Sequence, residues 1–412
     1  MSASYPIRPI SEQELPQFAV VGEHAFNSNW PRDGFLELER MLFEPERSLA
    51  AFDGEEMIGT AEIISFEMIV PGGEVPAAGV TGVAVLPSHR RRGVLSSLMR
   101  QQLADIAAGP EPVAALFASE TMIYGRYGYG IATHRLTHRF KRGVVVPVPP
   151  GAPRLRIVVP GEGRAAMRSV YETFRVTRPG MMSRSEGYWN AMLADPEWNR
   201  EGNSPMRCLL AEDESGPRGY ALYSTKPDWG PDGLPTGTLS VHEAFATDLP
   251  ATRALWADLL SRDLISEIIV WTRPVDDPLL YLVSDPRQAR PVYRDGLWIR
   301  LTDLQAALTR RCYSAPVDVV IEVTDEVLPA NAGRWRLQAG GLTDTAKPSC
   351  ERTTAEPDLL LPVAALGAAY LGGIRLGALA EVGVITEQRA GAAAELSAAM
   401  WWDPAPWPAT SF

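Results

Sequence analysis

The sequence predicts an α+β protein built from mixed sheets in tandem, and three observations carry that prediction. Short apolar runs of strand length alternate with segments of helical period. In the first third an antiparallel hairpin is followed by a strand, a basic loop containing glycine, a helix and a further strand, a crossover unit that adds parallel pairing to the sheet. A similar order of elements returns in the middle of the chain, which points to a duplicated architecture. At 412 residues the chain exceeds one ordinary core and fits two or three domains.

Each element has a local reason. Residues 5–9 read as a strand, and Ser11 precedes Glu14 by the three-residue spacing of a capping box, which predicts a helix running to about Phe26. Leu49–Phe52 and Met57–Ile69 flank Asp53-Gly54 and read as a hairpin. Val80–Val85 is a third strand, Val94–Ala108 has the apolar spacing of an amphipathic helix, and Val113–Ala118 is another buried strand. The proline-rich stretch Val144–Arg154 breaks regular structure and marks a boundary. Beyond it come strand Leu155–Val159, helices near Gly163–Arg175 and Tyr188–Leu193, and strands Met206–Ala211, Gly219–Ser224 and Leu239–Phe245. Helix Ala251–Leu260 and strand Glu267–Trp271 complete the repeat. After Trp298–Leu301 a third segment carries strands Val317–Val323 and Gly333–Gln338 and helices near Pro362–Leu371 and Ala390–Trp401. The tail Asp403–Phe412 holds three prolines and cannot be helical.

Composition excludes several classes. With 46% hydrophobic and 22% charged residues the chain is neither disordered nor membrane-embedded. A formal charge of -11 argues against broad binding to nucleic-acid backbones and favours cationic partners. Positive charge is almost all arginine, since only Lys141, Lys226 and Lys347 are lysines. Cys208, Cys312 and Cys350 are odd in number and in no metal or CxxC spacing, so a reducing, cytoplasmic setting is expected. The N-terminus has no apolar core of a signal peptide, and Val363–Ala380 is interrupted by glycines and Arg375, so neither export nor a membrane association is expected.

The informative string is Val83-Ala84-Val85-Leu86-Pro87-Ser88-His89-Arg90-Arg91-Arg92-Gly93-Val94-Leu95-Ser96. Backbone N–H groups at the loop and in the first helical turn have no intrahelical acceptor, so they can donate to a diphosphate with help from the helix dipole. Gly93 lets the main chain approach the phosphates, and the arginines add charge. An isolated arginine run is ordinarily a solvated face; the apolar strand and Pro87 in front of this one make it a binding loop.

With that string the sequence resembles the GCN5-related N-acetyltransferases, whose coenzyme A motif reads Arg/Gln-x-x-Gly-x-Gly/Ala; Leu95 departs from its last position. A second string, Ala118-Ser119-Glu120-Thr121-Met122-Ile123-Tyr124-Gly125-Arg126-Tyr127-Gly128-Tyr129-Gly130, makes the resemblance one to the Eis (enhanced intracellular survival) acetyltransferases. Tyr293–Leu301 and Ala369–Gly372 extend it along the chain. The resemblance implies two tandem GNAT-like mixed-sheet domains, 1–147 and 148–301, followed by a sterol-carrier-protein-like α/β domain, 302–412. In the second domain Ala246-Thr247-Asp248-Leu249-Pro250 has no glycine or basic triplet, so nothing there cradles a diphosphate.

For function, the resemblance implies N-acetyl transfer from acetyl-CoA to a small-molecule amine. It places the cofactor on Val83, Ala84, Val85, Arg91, Arg92, Gly93, Val94, Leu95, Ser96, Ser119 and Glu120. Acetyl transfer needs a neutral amine, a polarised thioester carbonyl and a proton for the leaving thiolate. In the similar family the tyrosine matching Tyr124 returns that proton, with Tyr127 and Tyr129 as rivals in the same loop; any of the three can instead be a packed core tyrosine. The family's general base is the C-terminal carboxylate, here that of Phe412, which requires the tail to enter the first domain's cleft; the ordinary expectation is a frayed terminus. Ser411 replaces an acidic neighbour expected there, which weakens attraction for polycationic amines. The resemblance further implies aminoglycoside-type or lysine-like acceptors and a homohexamer.

Asp33, Glu62, Glu67 and Glu120 are acids that can line an amine pocket, with Phe26 and Trp30 as walls; solvation and core packing account for such residues equally well. His134 and His138 lie on a strand with no acidic partner in sequence, and no metal is expected. A different class of function, a lipid or small-molecule carrier with an inactive acetyltransferase-like domain, is motivated by the glycine-rich apolar residues 363–384.

Overall fold

The computed structural model describes residues 5–344 and 346–412, so the first four residues of the 1–147 domain lie outside the described residues. Among the described residues three sheets form. The first starts with β1 (Ile7–Pro9), β2 (Leu49–Asp53), β3 (Glu56–Val70) and β4 (Gly73–Val85), each antiparallel to its predecessor. Next come β5 (Val113–Phe117), parallel to β4, and the short β6 (Gly130–Ile131). Helices α1 (Leu15–Phe26), α2 (Arg32–Leu42), α3 (Val94–Ala107) and α4 (Thr121–Tyr124) connect these strands. The capping box is present: the Glu14 carboxylate accepts the Ser11 N–H at 3.0 Å and opens the 3₁₀ turn ahead of α1.

The sequence gives little sign of α2. It starts behind Pro31, contains Gly34 and buries only Leu36, so its charged face hides the helical period.

A second sheet holds β7 (His134–Lys141), β8 (Arg154–Val158), β9 (Arg207–Asp213), β10 (Gly216–Lys226), β11 (Gly237–Ala246), β12 (Ile265–Arg273) and β13 (Val292–Asp295), in the spatial order β13-β7-β12-β11-β10-β9-β8. Its helices are α5 (Pro160–Arg175), α7 (Leu249–Leu260) and α8 (Leu279–Leu282), with α6 (Glu186–Leu193) between α5 and α7 in the chain. Within this sheet His138 is fully buried, its Nε2 3.1 Å from the Asp277 carboxylate, and His134 stacks on Tyr293.

Strand β14 (Leu297–Leu301) returns to the first sheet and lies between β5 and β6. All five of its residues are buried, as an interior strand requires, and its residues Leu297, Trp298, Ile299 and Leu301 are apolar on both faces. Sheet membership therefore departs from chain order: β7, which precedes the proline-rich stretch, pairs with β12 and β13, while β14 pairs with β5. Thr133 fixes the point of return, its carbonyl accepting from Gly296 at 2.9 Å and its hydroxyl from the Leu297 N–H at 2.7 Å. The chain accordingly divides into two compact units, one of residues up to Thr133, Pro179–Ala191 and Gly296–Phe412, the other of His134–Arg178 and Met192–Asp295.

The third sheet has the order β17-β16-β15-β18-β19, formed by β15 (Val317–Thr324), β16 (Gly333–Ala339), β17 (Ser349–Arg352), β18 (Leu359–Pro362) and β19 (Thr386–Glu387). Helices α9 (Leu304–Thr309), α10 (Val363–Ala369), α11 (Leu376–Glu381) and α12 (Ala392–Met400) accompany it. The glycine-rich apolar stretch has a packing role. Helix α10 lies so close to the first sheet that a Cβ on Gly367 would collide with the Ile299 carbonyl, and one on Gly130 with that of Ala364. Its small residues let two backbones meet, so this stretch does not by itself signal a lipid cavity. No helix among the described residues is long and apolar enough to cross a membrane.

Arg311 ties the ends of α10 and α12 together. Its fully buried guanidinium donates to the carbonyls of Ala369 at 3.3 Å, Tyr370, and Met400 at 2.7 Å. These are C-terminal carbonyls of the two helices, which no intrahelical N–H can reach. Arg311→Met keeps the aliphatic volume but strands the carbonyls of Tyr370 and Met400, while that of Ala369 keeps the Gly372 N–H at 2.9 Å, and is expected to cost about 3 kcal/mol, read as a lowered urea midpoint.

Candidate active site

The site begins where two parallel strands part. β4 pairs with β5 only over Ala77–Gly79 against Val113–Ala115, although both continue, β4 to Val85 and β5 to Phe117. Between Thr60 and Glu62 the β3–β4 register shifts, with Gly82 at φ 57° on the bulged strand. Thr60 locks the bulge through a 2.7 Å hydrogen bond from its hydroxyl to the Gly82 carbonyl. Beneath it Glu62 is buried, and burial together with the neighbouring Glu39 carboxylate raises its pKa well above the ordinary range. Past the bulge, the edge of Val83–Val85 that faces β5 is free of strand pairing.

A cleft of about 590 Å³ opens along that edge, lined on one side by Val83, Ala84, Val85, Arg90, Arg91, Gly93, Val94, Leu95 and Ser96 and on the other by Ser119, Glu120, Tyr124 and Tyr127. Arg91 at φ 63° and Gly93 at φ 86° take left-handed conformations, the kind of backbone that can gather successive amides around an anion. Gly93 is the N-cap of α3 and brings no side-chain acceptor, so the first-turn N–H groups stay available to an anion. In the second sheet the equivalent helix, α7, is capped by Asp248, whose carboxylate accepts the Ala251 N–H at 2.8 Å. That helix end already holds its anion.

Arg90 lines the cleft beside Arg91, and Arg92 is not among its lining residues. Ala25, Phe26 and His89 also line the cleft; they come from α1 and from the 3₁₀ turn before the loop, and only Phe26 was marked in the sequence as a pocket wall. His89 bridges Ser88 and Asp53, at 2.9 and 3.3 Å. Glu120 lines the cleft, whereas Asp33 is exposed in the first turn of α2 and Trp30 stacks on Phe35 at 4.8 Å.

The three tyrosines separate by environment. Tyr129 is buried, does not line the cleft, and its hydroxyl has no hydrogen-bond partner among the described residues. Tyr127 has its hydroxyl 3.0 Å from Ser96 Oγ. Tyr124 ends α4 on the cleft wall, and burial pushes its phenol up to about 12, a hydrogen bond with Ser119 pulling the other way. Such a phenol keeps its proton through the neutral range.

The tail is not frayed: Ala405–Pro408 and Thr410 are buried, and the Phe412 ring lies 5.0 Å from that of Phe66 and 5.3 Å from that of Phe117. Phe117 stands two residues before Ser119 on the cleft wall. Phe412 itself is not among the residues lining the cleft.

Comparison with known proteins agrees with this geometry. Residues 6–132 and 180–301 each match an acetyltransferase (GNAT) domain family, and 304–409 match a sterol carrier protein domain. An uncharacterised N-acetyltransferase of Streptomyces coelicolor is 46% identical over 380 residues, 90% of this chain and 91% of that protein. N-acetyltransferase Eis of Mycobacterium tuberculosis is 36% identical over 339 residues, 79% of each chain. The chain belongs to the Eis family of GCN5-related N-acetyltransferases. The crystal structure of Eis1 from Mycobacterium abscessus superposes with a TM-score of 0.81 at 34% identity, covering 99% of this chain and 100% of that one. This Eis-family chain is thus an N-acetyltransferase with acetyl-CoA as its co-substrate, and its fold is two GNAT domains followed by a sterol-carrier-like domain.

If the loop amides hold the diphosphate of acetyl-CoA, Gly93→Ala should weaken binding about tenfold in calorimetry, because a left-handed alanine costs about 1–2 kcal/mol and crowds the loop. Arg91→Ala should weaken it more than Arg92→Ala.

Proposed function

We propose that this Eis-family enzyme, through its 1–147 domain, transfers the acetyl group of acetyl-CoA directly to a primary amine, with Tyr124 as general acid and the Phe412 carboxylate as general base. The thioester supplies an activated acetyl carbon. N–H groups on the edge of Val83–Val85 that turns away from β3 align the pantetheine arm and polarise the carbonyl, while Arg90, Arg91 and the open end of α3 hold the diphosphate. As the amine nitrogen bonds to the carbonyl carbon and the carbon–sulfur bond breaks, the carboxylate takes the amine's proton and the Tyr124 hydroxyl gives one to sulfur. Direct transfer suits a cleft whose lining holds no cysteine.

The observation that carries this reading is the position of Tyr124: a phenol held protonated by burial, on the cleft wall facing the unpaired edge of β4. Of its rivals, Tyr129 does not line the cleft, and Tyr127, which does, has its hydroxyl on Ser96 Oγ at 3.0 Å. For the acceptor we propose aminoglycoside-type or lysine-like primary amines. Glu120 gives the cleft an acid for a substrate cation, while Ser411 adds no charge of its own, so the pull on the more highly charged of these amines is weaker than an acidic residue at that position would give. We place the enzyme in the cytoplasm, in keeping with the free thiols of Cys208, Cys312 and Cys350, and as a homohexamer, which light scattering tests.

Two measurements test the mechanism. Tyr124→Phe should lower kcat by a factor of about 10²–10⁴ and leave calorimetric acetyl-CoA affinity nearly unchanged; wild-type kcat would rule the phenol out. Because burial raises the Tyr124 pKa to about 12, the phenol is half ionised only near that pH. The wild-type kcat profile should therefore show no fall from phenol ionisation between about pH 7 and 10, where an unperturbed tyrosine begins to titrate. A free-thiol assay across a panel of amines identifies the acceptor class.

A further inference from the structure

A chain end with three prolines and no regular structure has no reason of its own to stay in place. This one is held by a segment far away in sequence. The Trp407 N–H donates to the Pro179 carbonyl at 2.8 Å. Arg184, 4% exposed, lies over the Trp189 ring at 5.0 Å and donates from Nε to Thr410 Oγ1 at 3.3 Å. The Tyr188 hydroxyl donates to the Ser411 carbonyl at 2.8 Å, one residue from the terminal carboxylate.

These partners all come from Pro179–Ala191, and that segment is itself bonded to β3. Ile69 donates to the Met181 carbonyl and Gly180 to the Ile69 carbonyl, both at 2.8 Å, while Ser183 donates to the Glu67 carbonyl at 2.7 Å. Ser183 Oγ accepts the Glu67 N–H at 2.8 Å. Tyr188 also meets Phe66 edge-on at 6.2 Å, and Phe66 is one of the two rings against Phe412. The segment thus links the tail to β3, the strand that also carries Thr60 and Glu62 beneath the bulge.

We propose that Tyr188 and Arg184 are positioning residues that hold the terminal carboxylate of Phe412 at the acetyl-transfer site. The inference rests on the reading of that carboxylate as the base. Both act through the tail: one fixes the last peptide by its carbonyl, the other fixes Thr410. A base must lie within hydrogen-bond reach of its proton, and a terminus free to rotate spends little time there. Restraint of the penultimate carbonyl leaves only the rotations of the final residue, whose ring is packed against Phe66 and Phe117.

Tyr188→Phe and Thr410→Val each remove one of these bonds while keeping ring or volume. They are made in the full chain and read in two ways: the rate at which a carboxypeptidase releases Phe412 from the folded protein, and steady-state kinetics. The expected result is release about tenfold faster and kcat about tenfold lower in both variants, with acetyl-CoA KM and melting temperature close to wild type. Phe412 release at the wild-type rate in both variants overturns the clamp, whatever happens to kcat. Faster release with an unchanged kcat instead sinks the terminal carboxylate as base, and with it the positioning role.

Discussion

The form of the candidate cleft depends on the bulge at Gly82, which bends β4 beyond the point where its pairing with β5 has ended while its other edge stays on β3. An extra residue on one strand bends it and raises its twist, and β4 leaves β5 after Gly79. Main-chain donors that lose a strand partner must find another. Here they face a cleft of about 590 Å³ instead of a neighbouring strand. The bulge is supported from behind by the Thr60 hydroxyl on the Gly82 carbonyl and by the buried Glu62 with its raised pKa. Charge on Glu62 would stand uncompensated beside Glu39, so a shared proton and tight packing favour the same arrangement.

The two GNAT domains differ at the N-terminus of their crossover helix. Both have a parallel strand pair joined by a helix, β4–α3–β5 and β11–α7–β12. Gly93 begins α3 with no acceptor of its own, whereas Asp248 begins α7 and binds the amide a phosphate would use. A carboxylate at a helix N-cap stabilises that helix by about 1 kcal/mol and repels a second anion. One helix end is thus open to an anion and the other is already capped, in keeping with the absence of a basic glycine loop after Phe245.

Local features were legible in the sequence and pairings over long distances were not. The hairpin of β2 and β3, helix α3 and the Arg90–Ser96 loop follow from apolar period, turn residues and capping, all written within a few positions. Helix α2 is hidden because Pro31 and Gly34 interrupt its start and only Leu36 is buried. Arg92 reads as equal to Arg90 and Arg91, because nothing in three identical side chains shows which of them line the cleft. That β7 and β14 are strands was readable, but their choice of sheet rests on partners more than 100 residues away. The tail's proline content was plain, while its bond to Tyr188 spans 223 positions and has no local sign.

Placing β14 inside the first sheet has a consequence for how the molecule comes into being. Strand β5 has no neighbour on one side until Leu297–Leu301 arrive, and Gly130–Ile131 has no strand to pair with. During synthesis nearly three-quarters of the polypeptide must emerge from the ribosome before the N-terminal sheet can close. Until then that sheet presents an open, apolar edge, the kind of surface on which nascent chains stick to one another or recruit chaperones.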